Sequence, residues 1–286
     1  MPTKETMTRR QFLKRLGCWL LPLLAPGTAG YSFLEARRLG VQPVTIPIPL
    51  LPDPFNQVRI VQLTDIHHGP YLDVERVEHA VELTNGLEPD VIVLTGDYVH
   101  RSAEFIKPCF GALARLRAPL GVFGVLGNHD HWEGAEATRA AMRRAGIQEL
   151  TNRGTWVERY GSRLYFAGVD DLWEGKQDLA AALAEVPQDG CAVLLSHNPD
   201  YFPEAVKDWR VRLMLAGHTH GGQVVLPFVG PLIVPSRYGR KYASGLVTEH
   251  NQSVYVSRGV GTITPPVRLN CPAEVSLITL VGGSMV

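Results

Sequence analysis

The chain has 286 residues, 45% of them hydrophobic and 20% charged, with 28 basic against 28 acidic side chains. That is enough apolar material for one large α/β domain and too ordinary a mix for a disordered or fibrous chain. The zero formal charge shows no basic excess of the kind a nucleic-acid-binding surface carries. Four widely spaced cysteines without a CxxC pair indicate neither a disulfide framework nor a zinc knuckle.

The first element is the N-terminal stretch TRRQFLKRLGCWLLPLLAPGTAG. Adjacent Arg9 and Arg10, a basic segment and then an apolar run follow the secretory order, and the paired arginines resemble a twin-arginine export signal. Leu16–Leu34 carries no charged residue, but Pro22, Pro26 and three glycines interrupt it, so it makes a poor permanent membrane helix. Lys4, Arg9, Arg10, Lys14 and Arg15 precede the run and only Arg37 and Arg38 follow it closely. That asymmetry places the domain on the outer face of the cytoplasmic membrane. Residues 1–40 are therefore read as a signal or membrane anchor plus linker, cleaved or retained, and 41–286 as the domain. The twin-arginine export machinery is the implied partner.

Five short apolar runs come next, each ending the same way. VRIVQL ends at Asp65 and His67, VIVL at Gly96 and Asp97, VFGVL at Gly127, Asn128, His129 and Asp130, AVLL at His197, and VRLMLA at His218 and His220. Continuous apolar runs of this length read as strands buried on both faces. Between them, Asp73 is a good N-cap for a helix placing Val74, Val77 and Val81 on one face. EATRAAMRRAG and QDLAAALAEV read as two further helices. The alternation implies a largely parallel sheet with crossover helices. After Gly221 the texture changes to strands and turns, suggesting a second, more antiparallel sheet.

Ligands of open α/β sheets bind beyond the carboxyl ends of the strands. An Asp after a strand is by itself an ordinary turn residue, but five runs that all deposit Asp, Asn or His there form one constellation. At a strand end, period-2 geometry would put His218 and His220 on the same side. Mixed carboxylate, imidazole and amide donors suit Zn, Mn or Fe rather than the all-oxygen cage of calcium. Asp65, His67, Asp97, Asn128, His197, His218 and His220 are too many for one ion and enough for two. Two such ions about 3.5–4 Å apart can clamp a phosphoryl group and activate water at neutral pH.

The order D-x-H, G-D, G-N-H-D, lone His and G-H-T-H over residues 58–222 resembles the calcineurin-like metallophosphoesterase superfamily. The N-terminus and the tail YVSRGVGTITPPVRLNCPAEVSLITL are similar to its exported bacterial phosphodiesterase subfamily, typified by YkuE and YaeI. The resemblance implies an α/β four-layer α-β-β-α sandwich of two mixed sheets. It implies two divalent metals, with Asp65, His67 and His220 on one, Asn128, His197 and His218 on the other, and Asp97 bridging. It further implies that His129 donates to the phosphate or protonates the leaving oxygen, with Asp130 orienting it, and that a hydroxide bridging the metals attacks. The implied substrate is a phosphodiester, small or lipid-linked, of the cell envelope, with the enzyme associated with the membrane surface. Two alternatives stay open: hydrolysis of the UDP-2,3-diacylglucosamine pyrophosphate of lipid A synthesis, and a metal-stabilised scaffold without catalysis. His68 and His131 read as solvated rings beside the motifs, with contact to substrate as the alternative. Arg268 and Asn270 are left between phosphate contact and structure. Residues 224–235, VVLPFVGPLIVP, read as a core strand and proline-rich turn, or as an apolar loop that dips into lipid or covers a substrate chain.

Overall fold

The computed structural model describes residues 27–284, residue 29 apart, so residues 1–26 of the expected signal or anchor plus linker (1–40) lie outside the described residues. Its strands are β1 (Leu39–Pro49), β2 (Arg59–Leu63), β3 (Val91–Leu94), β4 (Val122–Gly124), β5 (Gln148–Glu149), β6 (Arg153–Arg159) and β7 (Ser162–Gly168). They continue with β8 (Ala192–Leu195), β9 (Val211–Ala216), β10 (Val225–Leu226), β11 (Gly230–Pro231), β12 (Gly245–Glu249), β13 (Gln252–Val256) and β14 (Ala273–Gly283). The main helices are α1 (Val74–Gly86), α2 (Ile106–Leu113) and α3 (Asn128–Arg144). Among the described residues no helix is long and apolar enough to cross a membrane.

Two six-stranded sheets carry the domain, in the orders β1-β14-β2-β3-β4-β5 and β12-β13-β9-β8-β7-β6. Side-chain alternation along the buried strands sorts the layers. Ile60, Val91 and Val93 meet Val193, Leu195, Leu213 and Leu215 between the sheets. Val61, Leu63, Ile92 and Leu94 face the other way, onto Val77 and Val81 of α1, Phe110 of α2 and Met142 of α3. Leu194, Met214 and Val254 form the outer face of the second sheet with Leu183 and Phe202. This is the expected four-layer sandwich of two mixed sheets. Each fully buried Val, Leu or Ile stabilises it by about 1.5–3 kcal/mol, which makes the strand ends a rigid platform for their loops.

The helices follow local signals where these are strong. The Asp73 carboxylate accepts from the Arg76 amide and starts α1. The helix expected over EATRAAMRRAG belongs to the longer α3, which begins at Asn128 directly beyond β4 and breaks its helical geometry at Gly134. QDLAAALAEV makes only a single turn, Leu179–Ala182.

The second, more antiparallel sheet expected after Gly221 is not built from those late strands alone; only the short β10–β11 pair stands apart. The five apolar runs divide between the sheets instead, β2, β3 and β4 in one, β8 and β9 in the other. The β12–β13 hairpin extends the second sheet, with β13 parallel to β9. β14 returns to the first sheet, antiparallel to β2 and parallel to β1 over eleven pairs. Two half-buried sheets packed face to face bury more apolar surface than two separate ones, so the late strands complete existing sheets. A helical stretch over 30–36 packs onto the domain, where the buried Glu35 carboxylate accepts from the Asn270 and Cys271 amides.

Candidate functional site

The strand ends converge on the seam between the sheets. The Gln62 amide donates to Thr95 Oγ1 and to the Ala216 carbonyl, each at 2.9 Å, tying β2, β3 and β9 together just below the loops. Immediately above, Asp65, His67, Asp97, His218 and His220 all adopt left-handed backbone conformations, with φ between 50° and 71°. Such conformations cost of order 1–3 kcal/mol each in non-glycine residues and persist where surroundings enforce them. Here the enforcing bonds run from the Asp65 amide to the Gly96 carbonyl and from the His67 amide to the Asp97 carbonyl, each 3.0 Å. The His218 amide donates to Asp65 Oδ2 at 2.9 Å. The pair His218 and His220 therefore does not sit on extended strand, as period-2 geometry suggested: β9 stops at Ala216 and a left-handed turn aims both rings inward.

Glycine is required where the loops cross. A side chain at Gly127 would lie 2.2 Å from Asp97 Oδ1, and one at Gly217 would lie 2.2 Å from Asp65 Oδ2. Both glycines of G-N-H-D and G-H-T-H thus make room for a carboxylate.

All seven candidate ligands come together, and all are buried. Asp65 Oδ1 lies 3.3 Å from His220 Nε2, which faces His67 Nε2 at 3.0 Å. Asp97 Oδ2 lies 3.5 Å from His67 Nε2 and 3.2 Å from His197 Nε2, between the two groups. Asn128 Oδ1 is 3.2 Å from His197 Nε2 and 3.1 Å from His218 Nδ1. The other nitrogen of His197, Nδ1, donates to the Thr95 carbonyl at 2.7 Å, which turns the Nε2 lone pair toward Asp97 and Asn128. The ligand-type atoms of these side chains thus converge, and carboxylate and imidazole groups buried this closely are costly unless a proton or a cation sits among them. Asp65–His67–His220 and Asp65–Asp97–His197 each gather within a metal's reach. The donor set fits divalent metal.

Burial and neighbouring charge set the protonation states. Burial pushes Asp65 up to about 6, with Asp97 adding to the effect against His197. Burial would raise Asp97 too, but His197, His67 and His129 together hold it well below the usual carboxylate range. Burial lowers His67 and His220 well below 6.5 and His218 to about 3, keeping those rings neutral, as ligands need to be. His197 runs the other way: burial lowers it, but Asp97 and Asp65 raise it well above its ordinary value.

His129 stands at the edge of this centre, its amide donating to Asp97 Oδ1 at 2.9 Å and its ring edge-on to His67 at 4.7 Å. Asp130 does not orient it. No hydrogen bond joins them, and the Asp130 carboxylate instead accepts from the Asp97, Tyr98 and Gly127 amides at 2.8–3.0 Å. It clamps the Asp97 loop to the start of α3 because residue i+3 of a helix turns back over the cap. The ring facing His129 belongs to His100, Nδ1 to Nδ1 at 3.2 Å, and Arg101 Nε donates to His100 Nε2 at 3.2 Å. Since Arg is an obligate donor, the His100 proton sits on Nδ1 and donates to His129, whose own proton is left on Nε2. Burial lowers His129 below its ordinary range, so the neutral ring is a hydrogen-bond donor. The available signal for His100 is its place in GDYVHR, three residues beyond Asp97 at the same strand end.

The remaining candidates are structural. His68 is buried, not solvated: its Nδ1 meets the Leu72 carbonyl at 2.8 Å and its ring packs on Phe105. His131 is paired with Asp170 at 2.9 Å. Arg268 is fully buried and donates to the carbonyls of Arg258, Gly259, Gly261 and Cys271, locking the tail loop whose Gly261 amide donates to the Asp65 carbonyl. The Asn270 side chain donates to the Val225 carbonyl. The aromatic rim went unread in the sequence. Trp132 lies edge-on to His129 at 4.5 Å, Trp173 edge-on to His218 at 4.3 Å, and Tyr71 lies 6.2 Å from His100.

Residues 58–222 match the family model of the calcineurin-like phosphoesterases. The metallophosphoesterase YkuE of Bacillus subtilis is 34% identical over 283 residues, covering 96% of this chain and 98% of its own. A metallophosphoesterase of Aquifex aeolicus is 35% identical over 264 residues, covering 88% and 95%. The phosphodiesterase YaeI of Escherichia coli is 33% identical over 284 residues, covering 96% and 100%.

Proposed function

The chain belongs to the calcineurin-like phosphoesterase family, and from that premise we propose that this metal-dependent phosphoesterase hydrolyses a phosphodiester of the cell envelope, one joined to a lipid. The observation that carries the diester reading is the lining of the mouth. Trp132, Trp173 and Tyr71 surround the polar centre, and Arg101, the cation beside His100, is already engaged by His100 and Thr264. A terminal dianionic phosphate calls for additional cations, whereas the two organic arms of a diester call for surfaces of this kind.

In this reading Asp65, His67 and His220 hold one divalent ion, Asn128, His197 and His218 the other, and Asp97 serves both; manganese, zinc and iron all suit the donors. The ions supply Lewis acidity toward the phosphoryl oxygen and a water made nucleophilic at neutral pH. The chain supplies the rest. His129 Nε2–H donates to a phosphoryl or leaving oxygen, positioned by His100 and Arg101. Asp130 keeps the Asp97 loop and the start of α3 in register, so the bridging carboxylate and His129 hold a fixed separation.

The test is turnover of bis-p-nitrophenyl phosphate beside p-nitrophenyl phosphate, after stripping and reloading with Mn²⁺ or Zn²⁺. The expected result is metal-dependent cleavage favouring the diester and falling by roughly 10²–10⁴-fold in His129→Ala. A preference for the monoester would overturn the diester reading, and no turnover with both ions bound would favour the scaffold. The envelope reading draws on the basic residues before Leu16 and puts the domain outside the cytoplasmic membrane. Full protection from external protease in spheroplasts would overturn it and favour the nucleotide-linked lipid A precursor.

A further inference from the structure

The stretch from Val224 to Pro235 is neither a core strand nor a buried turn. β10 and β11 form a two-stranded hairpin, and its tip, Phe228, is fully exposed, with Ile233 at 77% and Leu232 and Val229 about half exposed. Four large apolar side chains exposed on and just after one small hairpin are of the kind that marks an interaction surface. Leu232 and Ile233 are also walls of a cavity of about 280 Å³, completed by Val224, Pro235, Ile263 and Pro265 and reaching His220. His220 is thus both a wall of this cavity and a member of the candidate metal centre.

Three further features define what covers the hairpin. Arg237 and Arg240 are exposed just after the hairpin, Arg240 lying against Gly230, while Lys241 beside them is paired with Glu249. Apolar side chains flanked by cations match an anionic lipid surface, which takes the first into its hydrocarbon and the second at its headgroups. The chain leading to the apolar N-terminal run also emerges nearby. The Val225 amide donates to the Leu269 carbonyl and the Asn270 side chain to the Val225 carbonyl, while Asn270 and Cys271 donate to Glu35 of the 30–36 helix. That helix exposes Tyr31, Phe33 and Leu34.

We infer that the β10–β11 hairpin seats the mouth of the site on an anionic bilayer, with the cavity beside His220 receiving hydrocarbon of a phosphodiester lipid drawn from it. This rests on the phosphodiesterase reading for the nature of the reacting group, though not for the contact itself. A hydrocarbon chain entering between Leu232, Ile233 and Ile263 keeps its apolar contacts on leaving the bilayer, and its phosphate then lies beside His220.

The test uses the full chain with Cys18→Ser and Phe228→Cys, labelled with an environment-sensitive fluorophore; Cys109, Cys191 and Cys271 are buried. Tyr160→Cys is the control, exposed at the β6–β7 turn at the opposite end of the strands. Adding phosphatidylglycerol vesicles is expected to blue-shift and brighten the label at 228, and quenchers in the acyl chains to extinguish it, with no change at 160. Arg237→Gln with Arg240→Gln is expected to raise the vesicle concentration for half-response by about 25-fold, fivefold per cation. Equal responses at 228 and 160 would overturn the docking, and an unshifted half-response would overturn the part assigned to the arginines. Cleavage of bis-p-nitrophenyl phosphate separates the two readings. A parent chain that cleaves it while the label stays silent loses the docking alone. A parent chain that cleaves no diester while the label responds loses the phosphodiesterase reading alone.

Discussion

Two regions meet at His220. On one side lies the seam, where Asp65, His67, Asp97, Asn128, His197 and His218 are buried, the first three and His218 in left-handed conformations that the loops enforce on one another. Across the cavity that His220 also lines is the hairpin, where Phe228, Leu232 and Ile233 face solvent and few bonds cross to the domain. The polar residues are inside and the apolar ones outside, the reverse of what water alone favours. Each region therefore needs something the chain does not contain, a cation in the first and an apolar partner in the second. In the seam a lost side chain disturbs neighbours that have no alternative partner. At the hairpin it disturbs nothing within the domain.

The largest expected effect comes from breaking the seam at its shared carboxylate. Asp97→Ala removes the group between both halves of the donor set and a backbone anchor for His129; activity is expected to fall by more than about 10³-fold, with metal content measured by mass spectrometry falling too. Unchanged metal content would show that Asp97 is not shared. Arg268→Leu comes next. It strips five carbonyls of a charged donor, that of His220 among them, and denaturant melts are expected to show a loss of about 2–4 kcal/mol.

A smaller and pH-dependent effect is expected from His131→Ala. The Asp170 hydrogen bond raises His131 above 6.5, so its contribution is complete below 6.5 and lost as pH rises through the folded value. Asp170 is lowered, against its burial, by the same bond, so its share is present above 3.8 and lost as pH falls through its folded value. The pair is partly exposed, and about 1 kcal/mol is expected between pH 4 and 6.5, shrinking toward pH 9. A difference that grows with alkalinity would contradict the pairing. The smallest effect is expected at the hairpin. Phe228→Ser should move stability by less than about 0.5 kcal/mol and leave soluble-diester turnover unchanged; a melting-temperature loss like that of Arg268→Leu would mean the hairpin is part of the core.

What the sequence made legible follows the same division. The strand ends could be read because an apolar run that stops at Asp, Asn or His leaves those side chains little choice but the end of a sheet. Asp73 could be read as a cap because its bond is local. The left-handed turns at His218 and His220 could not, since they come from the Asp65 carboxylate, 153 residues away. Asp130 looked like a partner for its neighbour His129, but its acceptors are filled by backbone amides across the fold. Arg268 gave no sign of burial because its partners are carbonyls, which every residue has. VVLPFVGPLIVP was ambiguous for a simpler reason: composition alone does not distinguish a strand covered by its own chain from a hairpin awaiting another surface.

The pairing of β1 with β14 has a consequence for how the molecule assembles. β1 is bonded to β14 and to no other described strand, so the earliest strand in the sequence has no place in the sheet until the latest one arrives. Ile46 and Ile48, fully buried in the finished core, stay uncovered for as long as that takes. Closure over more than two hundred residues, Leu39 to Ala273, is the sort of non-local contact that slows folding. A nascent chain thus carries an open sheet edge at β2 until β14 has been made, and that strand is the latch that shuts it.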